Sequence, residues 1–219
     1  MAIDLPTELV SLRRSILAMG ASVEQRVGRI VESMQCGDIQ LARSVRIADD
    51  EIDEMEVDIE SECLRILALT QPVAGDLRFV LTVLRINSEL ERIADGAKGI
   101  AKRIIDLERL GAVVVPPESL LEMARCAHRM LGDAIAALAD ENAVLCRRIK
   151  NEDKRVDALQ KEIFAWAQTT IPEDVGVTSA AIDILSIASK LERMGDLAEN
   201  IAEDVVFLID GSLVRHTNW

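Results

Sequence analysis

The chain has 219 residues, a formal net charge of −13, and 49% hydrophobic residues with only 2% aromatics and no Tyr. Its length is enough to bury a substantial core, in one domain or two small ones. The acidic balance excludes a non-specific nucleic-acid binder and direct attraction to anionic lipid. The scarcity of aromatics suits long helices packed by Ala, Leu, Ile, Val and Met, not sheets.

The four cysteines (Cys36, Cys63, Cys126, Cys146) form no CxxC, and the histidines are His128 and His216 alone, so a Cys/His zinc site is not expected. The N-terminus has no basic segment followed by an apolar one, and no run reaches the ~18 apolar residues of a membrane span. These features predict a protein of the reducing cytoplasm.

Taken in chain order, apolar residues recur at helical spacing over residues 7–35, from Leu9 and Leu12 to Val31 and Met34. Gly37-Asp38 breaks the run, and Asp38 is placed to cap a second helix through Leu41, Val45, Ile52, Met55, Ile59, Ile66 and Leu69. Thr70-Gln71-Pro72 interrupts. A third helix then runs from about 72–76 to Leu110, followed by a linker at 112–117 that ends in Pro116-Pro117. Helices four, five and six are predicted over 118–139, 143–169 and 178–209, with breaks at Asp140-Glu141-Asn142 and Ile171-Pro172 and a frayed tail at 211–219.

The chain repeats itself. Adding 104 carries Met19, Val27, Val31 and Met34 onto Met123, Leu131, Ile135 and Leu138, and Asp49, Ile52, Asp53 and Ile59 onto Asp153, Val156, Asp157 and Ile163. Past the second turn the offset is 101, which carries Glu91, Arg92 and Asp95 onto Glu192, Arg193 and Asp196. The expected fold is therefore all-α: two three-helix bundles, six long helices in all, with a first bundle at 1–111 and a second at 118–210.

Each copy carries two acidic pairs spaced i, i+4, which stack like charges on one helix face. They are Asp49/Asp53 with Glu91/Asp95, and Asp153/Asp157 with Glu192/Asp196. The helices bearing them are joined by a short turn and should be antiparallel neighbours, so the pairs can face each other. Four carboxylates at close quarters do not all stay ionised unpaired. A hard cation (Mg²⁺, Mn²⁺, Ca²⁺ or iron) suits the all-oxygen set. The alternative is a solvated acidic face salt-bridged to Arg92, Arg193, Lys154 or Arg155. A purely structural helical scaffold with solvated acidic rows and a carboxylate-bridged metalloenzyme are further alternatives. The chain lacks the Glu-x-x-His ligands of such bundles, and no nucleophile or general base has a partner, so no catalytic residues are expected.

At these residues the sequence resembles the PhoU family, phosphate-transport accessory proteins and phosphate-signalling regulators of bacteria. The resemblance spans nearly the whole chain. It rests on Met19-Gly20, on Pro72-x-x-x-Asp76-Leu77-Arg78, and on the two LERxxD segments at 90–95 and 191–196, the second continuing to Asn200 and Glu203. The resemblance implies a PhoU-like fold with surface metal clusters held by the (Glu/Asp)-xxx-Asp pairs, with Asn200 and Glu203 as added ligands and Fe, Mn, Mg or Zn as the metal. It implies a non-catalytic adaptor between the ATPase subunit of the phosphate ABC transporter and a membrane sensor histidine kinase, helping to silence the phosphate-starvation response. Such a protein is cytoplasmic, held near the inner membrane by protein partners; a second copy of the chain is a candidate partner, and Asp76 and Arg78 are candidate contact residues. The first copy departs from the pattern, with Gly99 and Lys102 where the second has Asn200 and Glu203.

Overall fold

A computed structural model of the chain describes residues 4–47, 50–111 and 114–212. Among these are seven α-helices: α1 (Leu5–Cys36), α2 (Ile39–Ile47), α3 (Asp50–Thr70), α4 (Ala74–Leu110), α5 (Glu118–Asp140), α6 (Ala143–Glu173) and α7 (Thr178–Asp210), with a 3₁₀ turn at Val175–Val177 before α7. The predicted second helix corresponds to α2 and α3; residues 48 and 49, and the tail from 213, lie outside the described residues.

The helix ends follow local chemistry. Gly37 takes φ +69 and closes α1 by donating its N–H to the Ser33 carbonyl at 2.9 Å. The Asp38 carboxylate accepts from the Gln40 N–H at 2.9 Å, as the capping expectation required. At the break after α5, Glu141 turns left-handed, and the Asn142 side chain accepts from Val144 and Leu145. Asn142→Ala should cost about 1 kcal/mol, read as a lowered midpoint in urea unfolding. At Pro172 the helix differs from expectation. α6 passes through the proline and stops one residue later, because a proline this close to the end removes one hydrogen bond without interrupting a following turn.

Each unit packs on itself, four helices in the first and three in the second: α1 with α2, α3 and α4, and α5 with α6 and α7. The units then join through α4 against α7 and α1 against α5. Both contacts are antiparallel. Arg85 near the start of α4 meets Asp204 near the end of α7 at 3.0 Å, and Arg103 meets Asp183 at 2.9 Å at the other end. Asp204 is only 1% exposed, so its guanidinium partner matters: a carboxylate this buried is costly without one. Glycine permits the α1–α5 approach, since a Cβ on Gly20 would lie 3.2 Å from Ile135. Most of the buried apolar side chains belong to one cluster that runs through both units, from Leu12 and Ile16 to Leu191 and Ile201. No helix of the described residues is long and apolar enough to cross a membrane.

Candidate metal centre

In the second unit α6 and α7 are neighbours, and their acidic pairs meet. Asp153 anchors the group. Its carboxyl is pushed up to about 7, first by burial and then by Glu199, Asp196, Asp157 and Glu192. The Asp153 Oδ1 atom is buried and has no hydrogen-bond partner. It lies against the backbone of α7 because residue 195 is glycine; a Cβ there would come within 3.2 Å of that oxygen. Glu192, Asp196 and Glu199 are raised as well, each by burial first and by neighbouring carboxylates second. Glu203 adds to the charge felt by Glu199. Asn200 stands one turn beyond Asp196, half-buried.

In the first unit the same faces meet. Glu91 is pushed up to about 7 by burial, then by Asp95, Glu56 and Asp53. Glu56 is raised by burial, then by Glu60, Asp53 and Asp95. Asp49 lies outside the described residues. Lys98 reaches Asp95 at 3.2 Å, and the buried guanidinium of Arg26, 6% exposed, feels Asp53, Glu51 and Asp95.

The salt-bridged alternative finds partial support. Arg92 turns to Glu89 at 3.4 Å and Arg155 to Glu122 at 2.6 Å, so neither neutralises the predicted pairs. Arg193 does act on Glu192 and Asp196. With Arg92 and Lys190 it also lines a cleft of about 430 Å³ between α4 and α7. Among the described residues, no three acidic, His or Cys side chains converge at ligand distance. An ion would therefore require side-chain rotation.

Spacing and repeat, combined, brought Asp53, Glu91 and Asp95 together, and likewise Asp153, Asp157, Glu192 and Asp196. They missed Glu56, Glu199, Arg26 and Lys98. Glu199 carried a signal, since it belongs to the i, i+3, i+4 acidic row of α7. Outside the centre, His128 lies half-buried over Gly28. Cys63 and Cys146 are buried thiols pushed up to about 12 and about 11 by burial, hence unreactive. Asp76 is exposed in the first turn of α4, where a carboxylate favours the helix dipole. Arg78 lies against the far end of α7; a Cβ on Gly211 would sit 3.3 Å from its Nη1.

The described residues thus form a duplicated all-α bundle of seven helices in which each unit brings carboxylates of two neighbouring helices together. The PhoU domain model matches residues 16–104 and again 120–205. The chain is 37% identical over 212 residues to the phosphate-specific transport system accessory protein PhoU homolog of Pseudomonas aeruginosa, covering 95% of this chain and 86% of that one. Its fold matches the crystal structure of PhoU from Pseudomonas aeruginosa with a TM-score of 0.92 at 35% identity, over 95% of this chain and 100% of that chain. It also matches the phosphate transport system regulatory protein PhoU from Streptococcus pneumoniae, with a TM-score of 0.84 at 30% identity over 96% and 99%. The chain belongs to the PhoU family, which is a family of accessory and regulatory proteins and not of enzymes.

Proposed function

We propose that this chain is a non-catalytic regulator of phosphate uptake and of the phosphate-starvation response. It works in the cytoplasm as an adaptor between the ATPase subunit of a phosphate ABC transporter and a membrane sensor histidine kinase. The observation that carries the reading is the fold shared with PhoU of Pseudomonas aeruginosa along nearly the whole chain, in both units.

The second-unit carboxylates fit a hard divalent or ferrous ion. Their donors are all oxygen, and one of them, Asp153 Oδ1, is buried without a partner. Asp153, Asp157, Glu192 and Asp196 would hold the ion, with Glu199, Asn200 and Glu203 at its border. Bound there, the metal supplies positive charge that lets the row ionise together and ties α6 to α7. The chain's part is to present carboxylates from two neighbouring helices on one face, so that occupancy would stiffen that outer face of the bundle. Asp76, exposed at the start of α4, is available for a partner contact, while Arg78 packs beside Gly211 at the end of α7.

Tagged protein should be captured from membranes containing the transporter ATPase and the sensor kinase, with elemental analysis of the same sample. Retention of both partners supports the adaptor. Retention of neither, with correctly folded bait, removes it.

A further inference from the structure

The two units share a backbone plan but not a charge plan. Position 26 in α1 is arginine, and its equivalent 104 residues on, Met130, is apolar. Lys98 and Lys102 in α4 answer to Glu199 and Glu203 in α7, 101 residues on. Three positions bordering the acidic rows are thus basic in the first unit and neutral or acidic in the second.

Structure brings these positions together. α1 packs against both α3 and α4, the two helices that carry Asp53 and the Glu91/Asp95 pair. Arg26 projects from it with only 6% of its surface exposed. A guanidinium so buried is tolerable only where carboxylates surround it, and Asp53, Glu51 and Asp95 all act on it. Lys98 enters from α4 and places its Nζ 3.2 Å from Asp95 Oδ1. The charges of Arg26 and Lys98 act on each other, so both cations border one acidic cluster. In the second unit the matching space is lined differently. Met130, 1% exposed, puts its methyl 3.5 Å from where a Gly195 Cβ would be, and Asp153 Oδ1 beside it has no partner.

We propose that in the first unit the chain supplies its own cation: Arg26, with Lys98, occupies the acidic pocket that the second unit leaves to a metal ion, so one chain carries one metal centre. This inference rests on the reading that the second unit binds metal. Its physical basis is simple. A divalent ion entering the first pocket would meet a buried guanidinium that cannot lose its charge and has no short route to solvent. The same guanidinium acts electrostatically on Asp53 and Asp95, two of the carboxylates that would be ligands.

The test uses full-length protein and Mn²⁺, measured by equilibrium dialysis with elemental analysis. Asp157→Asn with Asp196→Asn disables the second centre and should remove the tightly bound Mn²⁺ of the wild type. Adding Arg26→Met and Lys98→Glu to that background, which copies the second unit's residues into the first, should tighten Mn²⁺ binding at least tenfold. The proposal is overturned if the Asp157/Asp196 variant keeps its metal and loses it only on Asp53→Asn with Asp95→Asn. It is equally overturned if the added substitutions leave binding unchanged. A second measurement does not depend on metal. In chelator, Arg26→Met should lower the thermal midpoint, and Asp53→Asn with Asp95→Asn should recover most of that loss. Additive losses would refute the internal ion cluster. Should wild type bind no Mn²⁺, the metal reading of the second unit fails by itself, and this coupling still decides the role of Arg26. Lys98→Gln, altering a side chain nearer the surface, repeats the coupling test with Asp95→Asn if Arg26→Met does not fold.

Discussion

Asp153→Asn combined with Asp196→Asn is expected to weaken divalent-metal binding by about 10³-fold and, at the same time, to raise the thermal midpoint of the metal-free protein. The first effect follows from ligand charge, the property that spreads the affinities of oxygen-ligand sites over several decades. The double variant removes one charged donor from α6 and one from α7, so no remaining rotamer restores the set. The second effect follows from the crowding around Asp153, whose carboxyl is held near pH 7 by burial and by four neighbouring carboxylates. Asparagine keeps the shape, drops the charge and offers an N–H₂ group to the remaining acids. The gain should be on the order of 2 kcal/mol, or several degrees for a chain of this size. Calorimetric Mn²⁺ titration and thermal unfolding in chelator give the two readings. A variant that binds metal like wild type, or melts lower in chelator, would show that these carboxylates are ordinary surface residues.

The second large effect is a pH dependence that metal should reverse. Asp153 and Glu91 titrate near 7 in the folded chain, and Glu56, Glu192, Asp196 and Glu199 are shifted in the same direction. Each has a folded value above its unfolded one, so between about pH 4 and about pH 7 the folded state holds more protons than the unfolded state. The stability that protonation confers is fully present below the unfolded values and is lost as pH rises through the folded ones. Metal-free protein should therefore melt at progressively lower temperature from pH 5 to pH 8, and Asp153→Asn should flatten that slope. Metal competes with the same protons, so with Mn²⁺ present the midpoint should rise across the interval. The opposing contributions come from carboxylates lowered by arginine, Glu8 with Arg65 and Glu152 with Arg129, and they act at lower pH. A metal-free midpoint that climbs between pH 5 and pH 8 would contradict the crowding of the acidic rows.

Much of this was legible in the amino-acid order, for a physical reason. Helices of 21 to 37 residues, as in α3 and α4, repeat their apolar stripe many times, and Gly37, Asn142 and Gly211 mark their ends by backbone chemistry that few other residues share. The acidic pairs were legible because i, i+4 spacing fixes a face and the duplication supplied a second copy. What stayed hidden came from tertiary neighbours. Arg26 stands beside Val23, Val27 and Ile30, and one basic residue bordering an apolar stripe reads as a side chain reaching for water; only contact with α3 and α4 buries it. Its mismatch with Met130 was visible in the repeat but carries no weight until both positions are known to line pockets. The way the units meet was also hidden, because the wide apolar face of α7 announces burial without naming its neighbours.

The continuous core has a consequence for how the chain comes apart. α4 and α7 bury their faces in each other across the duplication, and the Arg85–Asp204 and Arg103–Asp183 pairs bolt both ends of that seam. Neither half-chain could be severed without stripping a wall of Ile, Leu and Ala into solvent, so melting should be one concerted event and not two. Isolated halves would aggregate singly and refold only when mixed, each serving as the missing surface of the other. The gene was doubled in sequence, but the molecule it encodes is one thermodynamic object.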